Sequence, residues 1–262
     1  MSPAVLVVAC GVLGLLFGSF ANVVIARVPE GGSVLRPPST CPHCRARIAP
    51  RDNIPVVSWV LLRGRCRACG VAISSTYPLV EIACALVFAA IGWRIGPAWT
   101  LPAFLLFGWL LVVVTVIDVQ THRIPNRLTY PLTPALLALM TAGAALEGTP
   151  GAAVRAALGG VVAFSLLLLL ALLNPRGMGM GDVKLAASIG IGLGYLGWGH
   201  IWLGLFTAFF GGGVIAGILL LLRRRGRKDH LPFGPWLALG ALAALLVGQP
   251  VIEMYLRWSA WI

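Results

Sequence analysis

LeuLeuValValValThrValIle, residues 110–117, closes on Asp118, and GlyMetGlyMetGly, residues 177–181, closes on Asp182 and opens a further apolar run. Apolar stretches of this kind belong to a lipid bilayer. A carboxylate at the edge of one is costly to keep there, so it marks a functional site whose partner must be named. Each aspartate is the other's evident partner. Two carboxylates in one site cannot both ionise easily, which separates their proton affinities and leaves one as acid and one as base for activating water.

The rest of the chain fits that setting. Of its 262 residues 59% are hydrophobic and 11% charged. Windows of about 20 apolar residues predict spans near 4–26, 77–95, 99–117, 128–146, 152–173, 183–199, 201–222 and 233–250. The expected architecture is an all-α polytopic membrane protein of about eight transmembrane helices. The sixth and seventh spans meet at Gly199 and His200, and the sixth carries Gly190, Gly192, Gly194 and Gly197, a spacing that favours close helix approach in lipid.

Basic residues near span ends are retained in the cytoplasm. Alternating eight spans places segments 27–76, 118–127, 174–184 and 223–230 on one side, with eight, two, two and five of the 20 Arg and Lys residues, against Arg94, Arg155 and Arg257 on the other. Seventeen against three makes the first side cytoplasmic and puts both termini outside it. The net charge of +12 is then explained by topology and anionic lipid, without nucleic acid as a partner. The first span lacks a basic segment ahead of it, Arg27 coming after, so it reads as a retained helix rather than a cleaved signal.

Residues 27–76 form a cytoplasmic insertion between a first helix at 1–26 and a membrane domain at 77–262. It holds Cys41ProHisCys44 and Cys66ArgAlaCys69, two CxxC pairs with 21 residues between them. Such pairs wrap a tetrahedral ion and predict a structural zinc site. Disulfides are the competing reading, disfavoured in a reducing compartment. The metal would supply much of the folding free energy of so short a segment. His43 reads as a surface residue, and Cys10 and Cys84, within spans, as small packing residues.

Each aspartate also has a bland reading, Asp182 as a helix N-cap and Asp118 as an interfacial residue. Their shared face argues for the functional one. Gly177, Gly179 and Gly181 would let an extended peptide approach closely and expose amides to it. Glu81 is a boundary carboxylate expected to pair with a basic residue of the insertion. Lys184, two residues past Asp182, points off its helical face toward lipid phosphate or a substrate carbonyl. No HExxH pair or phosphate-binding loop is present, and Ser19 reads as a helix-packing serine.

These motifs together resemble the type IV prepilin peptidases, membrane enzymes that cut the leader from prepilin-like proteins and methylate the new N-terminus. GlySerPheAlaAsnValVal at 18–24, with Arg27 and Pro29, resembles the family's first-span signature, and the CxxC pairs resemble its zinc-binding insertion. TyrProLeuValGlu at 77–81 is similar to the segment that follows. IleAsp at 117–118, with Ile124 and Pro125, matches the first catalytic motif. Residues 179–184 resemble the GxGDxK motif of the second, and ProPheGlyPro at 232–235 the late signature. Thr76 departs, standing where family members often have arginine.

The resemblance implies Asp118 and Asp182 as catalytic, Gly179, Gly181, Lys184 and Glu81 as substrate-binding or supporting, and Cys41, Cys44, Cys66 and Cys69 as zinc ligands. It also implies S-adenosylmethionine as cosubstrate, prepilin or pseudopilin precursors as partners, and the bacterial inner membrane as location. A different class remains, a transporter coupling protons or cations through the two aspartates; such sites favour the bilayer midplane, whereas these lie at span ends.

Overall fold

The structure, a computed structural model of the chain, describes residues 2–175, 177–222 and 232–259. Arg176 and the basic run Arg223, Arg224, Arg225, Arg227 and Lys228, which weighed in the charge asymmetry, lie outside the described residues. The described residues divide into two compact units, Met1–Pro97 and Ala98–Ile262.

The first unit holds α1 (Pro3–Arg27), a 3-10 turn (Pro50–Asp52), the short α2 (Val57–Leu61) and α3 (Thr76–Ile95). Its two long helices pack closely on one another. Thr76–Ile95 therefore groups with α1 rather than with the helices that follow it, whereas a boundary at 77 read from the sequence would divide them. Gly18 makes the contact close: a Cβ there would sit 2.6 Å from Glu81 Cα, so no larger residue fits without parting the helices. Cys10 and Cys84 are buried in this unit, in keeping with a packing role.

The second unit runs α4 (Leu101–Thr121), α5 (Asn126–Leu146), α6 (Pro150–Leu173), α7 (Met180–Leu196), α8 (Trp198–Leu221) and α9 (Gly234–Ser259). Among the described residues seven helices are long and apolar enough to cross a membrane. The sixth expected span is present as α7 but has 17 residues, about 26 Å at 1.5 Å per residue, against a hydrocarbon core of about 30 Å. It tolerates that length because protein rather than lipid surrounds it: α4, α5, α6, α8 and α9 all contact it. The last helix continues past Pro250 to Ser259, beyond the span end at 250 read from hydropathy.

Close packing of α6 on α7 rests on Gly159 and Gly190, each of whose missing Cβ atoms would fall on the other's backbone. The end of α7 away from Asp182 is tied down by polar contacts. Arg155 donates to the carbonyls of Gly194 (2.8 Å) and Tyr195 (2.6 Å). The Tyr195 hydroxyl donates to Glu147, which also accepts from the Thr100 amide at 2.9 Å. Exposed Trp99, Trp198, Trp202 and Trp258 cluster at this same end of the helices, as aromatic residues do at a membrane–water interface.

Candidate active site and metal cluster

Asp118 lies one turn inside the C-terminal end of α4, where the chain leaves through His122 in a left-handed conformation (φ 53°) whose amide bonds the Asp118 carbonyl. The side chain is buried, and its Oδ2 accepts a hydrogen bond from the backbone amide of Gly234 at 2.9 Å, at the start of α9. A Cβ on residue 234 would stand 2.7 Å from that oxygen, so glycine is what lets the amide come so near.

Asp182 does not cap α7. Gly179 holds the N-cap position, and Asp182 lies in the first turn, buried, with its carboxylate accepting from the Gly179 amide, the return half of a capping box. The capping reading thus survives in altered form: the side chain satisfies an orphan amide from inside the helix. Gly181 brings the two aspartates' segments together, since a Cβ there would sit 2.9 Å from the Cβ of Ile124, just past Asp118. The carboxylates are within electrostatic range of each other.

Lys184 differs from expectation. Its ammonium donates to Asn126 Oδ1 at 2.7 Å and lies 4.9 Å from the centre of the Tyr130 ring, so it is held against α5 rather than reaching into lipid. Glu81, expected to meet a basic side chain, instead accepts from the backbone amide of Val56 at 2.7 Å, with Ser19 and Asn22 as its other hydrogen-bonding neighbours. A fixed amide replaces the arginine because the chain at Val56 turns inward at φ 61°, a conformation that β-branched residues avoid. Ser19 therefore does more than pack.

The four cysteines of the insertion converge, their Sγ atoms all within 4.8 Å of one another, a group able to hold a metal ion. The two loops are built alike. Cys41 and Cys66 donate their amides to Ala46 (2.9 Å) and Val71 (2.8 Å), and each accepts on its carbonyl the amide of the residue four further on. Those residues, Arg45 and Gly70, both have positive φ. Amides of Cys44 and His43 aimed at Cys41 pull its thiol down to about 6, which favours the thiolate that a metal binds. Arg67 grips Asp52 through both oxygens (2.7–3.1 Å), fixing the second loop to the 3-10 turn and holding that carboxyl below the usual range. His43 is exposed.

Sequence reasoning missed the Gly234 amide, although the ProPheGlyPro motif that contains it was visible. It also missed the Asn126–Lys184–Tyr130 contact and the Val56 amide, which no residue spacing announces.

The geometry defines a helical membrane protein carrying paired buried aspartates and a separate four-cysteine cluster. The profile of the bacterial peptidase A24 N-terminal domain matches residues 12–95, and that of the type IV leader peptidase family matches residues 104–221. Prepilin leader peptidase/N-methyltransferase from Stutzerimonas stutzeri is 34% identical over 98% of this chain and 96% of its own. The proteins of that name from Aeromonas hydrophila (37%, 92% and 91%) and Bacillus subtilis strain 168 (34%, 95% and 97%) are similarly close. The chain belongs to the type IV leader peptidase family. No solved structure matches it.

Proposed function

We propose that this chain is an aspartic endopeptidase that removes the leader of prepilin-like proteins at the cytoplasmic face of the bacterial inner membrane, and then N-methylates the residue it exposes. The observation that carries this is the pair of buried aspartates on α4 and α7, in a chain spanning nearly the whole length of relatives named for both activities. The transporter reading gains no support from any relative found.

In the proposed mechanism Asp118 and Asp182 share a water. One takes its proton as the oxygen attacks the scissile carbonyl and passes it to the leaving amine as the carbon–nitrogen bond breaks, while the other protonates the carbonyl oxygen and recovers that proton when the carbonyl re-forms. Gly234 orients Asp118, and the Gly179 amide orients Asp182, so neither carboxylate spends reaction energy finding its angle. Lys184, set by Asn126 and Tyr130, supports the segment between them.

Zinc is the metal proposed for Cys41, Cys44, Cys66 and Cys69. The Cys41 and Cys69 sulfurs are 3.9 Å apart, near the about 3.8 Å of a tetrahedral site with bonds of about 2.3 Å. Its role would be structural. Methyl transfer would draw on S-adenosylmethionine. The charge asymmetry of the sequence supports cytoplasmic placement of the insertion and non-cytoplasmic termini. Prepilin or pseudopilin precursors and membrane lipid are the partners proposed, with no nucleic acid.

The test is incubation of the purified protein in detergent with a prepilin and S-adenosylmethionine, read by mass spectrometry. A shortened, methylated product from wild type, and intact substrate with folded Asp118→Asn or Asp182→Asn, is expected. Substantial cleavage by either variant sinks the dyad.

A further inference from the structure

Within the first unit a cavity of about 960 Å³ opens between the insertion and α1 and α3. Its size is at the upper end of small-molecule sites. Its wall is built rather than left over. Glu81 reaches it from α3 as a buried carboxylate, held by the Val56 amide at 2.7 Å at the cost of a left-handed backbone on a β-branched residue. Strain retained in this way is characteristic of ligand clamps. Asn22, also buried, lines the cavity and is fixed by donating to the Tyr77 carbonyl at 3.1 Å. The Trp59 indole lines it too, locked by its Nε1–H on the Ile73 carbonyl (3.2 Å) and by Gly64, whose φ of 65° lets the backbone lie against the ring. The exposed Arg47 and Arg51 stand at its rim.

This chemistry selects an occupant. A buried carboxylate calls for positive charge, a rigid indole for a flat ring, and rim arginines for a carboxylate. A basic leader peptide is a poor match, because the insertion at 27–76 itself carries eight arginines. A lipid phosphate leaves Glu81 facing like charge. A small molecule that combines a cation, a purine and a carboxylate satisfies all three.

We propose that this cavity binds S-adenosylmethionine, with Glu81, Trp59 and the rim arginines as the residues that recognise it. The inference rests on the methyl-transfer reading and deepens it. When bound, this cosubstrate supplies an electrophilic methyl carbon: the amine's lone pair forms the new carbon–nitrogen bond, the carbon–sulfur electrons stay on sulfur, and the amine's proton leaves to water.

The experiment uses the full chain in detergent and radiolabelled S-adenosylmethionine. Equilibrium dialysis measures its affinity, ultraviolet cross-linking followed by peptide mapping locates it, and methylation of a pre-cleaved substrate is followed in parallel. Labelling within residues 37–81, and affinity at least about tenfold weaker in Glu81→Gln with metal content and melting temperature as in wild type, is the expected result. Where Glu81→Gln loses its fold, Trp59→Leu serves the same purpose. Labelling confined to residues beyond 97, or unchanged affinity in folded variants of both residues, overturns the site while a methylating wild type leaves the activity standing. A wild type that neither binds the cosubstrate nor methylates overturns both.

Discussion

Replacing Gly234 by alanine tests the site at its most constrained point. The added Cβ would lie 2.7 Å from Asp118 Oδ2, 3.2 Å from Cγ and 3.3 Å from Cβ, and ordinary contact begins at 3.4 Å. Either the carboxylate or the start of α9 must give about 0.7 Å, the difference 3.4 − 2.7. That strains or breaks the 2.9 Å bond from the Gly234 amide. Hydrogen bonds to charged groups are worth about 1.5–3 kcal/mol, and a misplacement near 1 Å costs about a hundredfold in rate. The expected loss is therefore about 30- to 100-fold in kcat, with KM within about twofold because leader binding is untouched. The assay is cleavage kinetics with a purified prepilin, with melting temperature as the measure of fold. Gly213→Ala is the matched control, since a Cβ there meets nothing within 4 Å. A folded Gly234→Ala enzyme with kcat within threefold of wild type would refute the claim that the amide positions Asp118.

Cys66→Ser, or removal of the metal by a chelator, should abolish stoichiometric metal binding, render the insertion susceptible to proteolysis and depress methylation more than cleavage. Full-rate methylation by a metal-free variant would contradict the structural role. Gly190→Val drives a side chain into the Gly159 backbone and should lower the melting temperature by several degrees, an overpacking cost of about 1–3 kcal/mol or more. Gly151→Ala, which faces open space, should not, and equal melting temperatures for the two would show that α6 and α7 need no close approach. Asp118→Asn and Asp182→Asn should each remove cleavage by more than a hundredfold while the protein still inserts, and full activity in either is readily seen by mass spectrometry.

How far the sequence carried the reading depended on whether a feature is local. Span positions follow from hydropathy, and each expected apolar run is a helix. The short α7 and the extension of α9 to Ser259 were less visible, because a helix enclosed by others is freed from the bilayer's length requirement. The CxxC pairs declared their convergence by spacing, since two residues between cysteines suit one metal. By contrast Lys184 and Glu81 were given partners by charge, and both found neutral ones, Asn126 and the Val56 amide. Pairing across 58 or 25 residues is set by which elements meet, and no periodicity encodes it.

By itself the sequence determined that this is a helical membrane protein, that Asp118 and Asp182 are out of place in their surroundings, and that four cysteines form one cluster. Composition, apolar run length and close motif spacing carry that information within a few residues of chain. Only the tertiary structure decided that Gly234 grips Asp118, that Gly181 docks on Ile124, and that Glu81 and Trp59 face a common cavity. Those relations arise from helix packing, where the absence of a side chain at one position fixes how near a distant backbone can come.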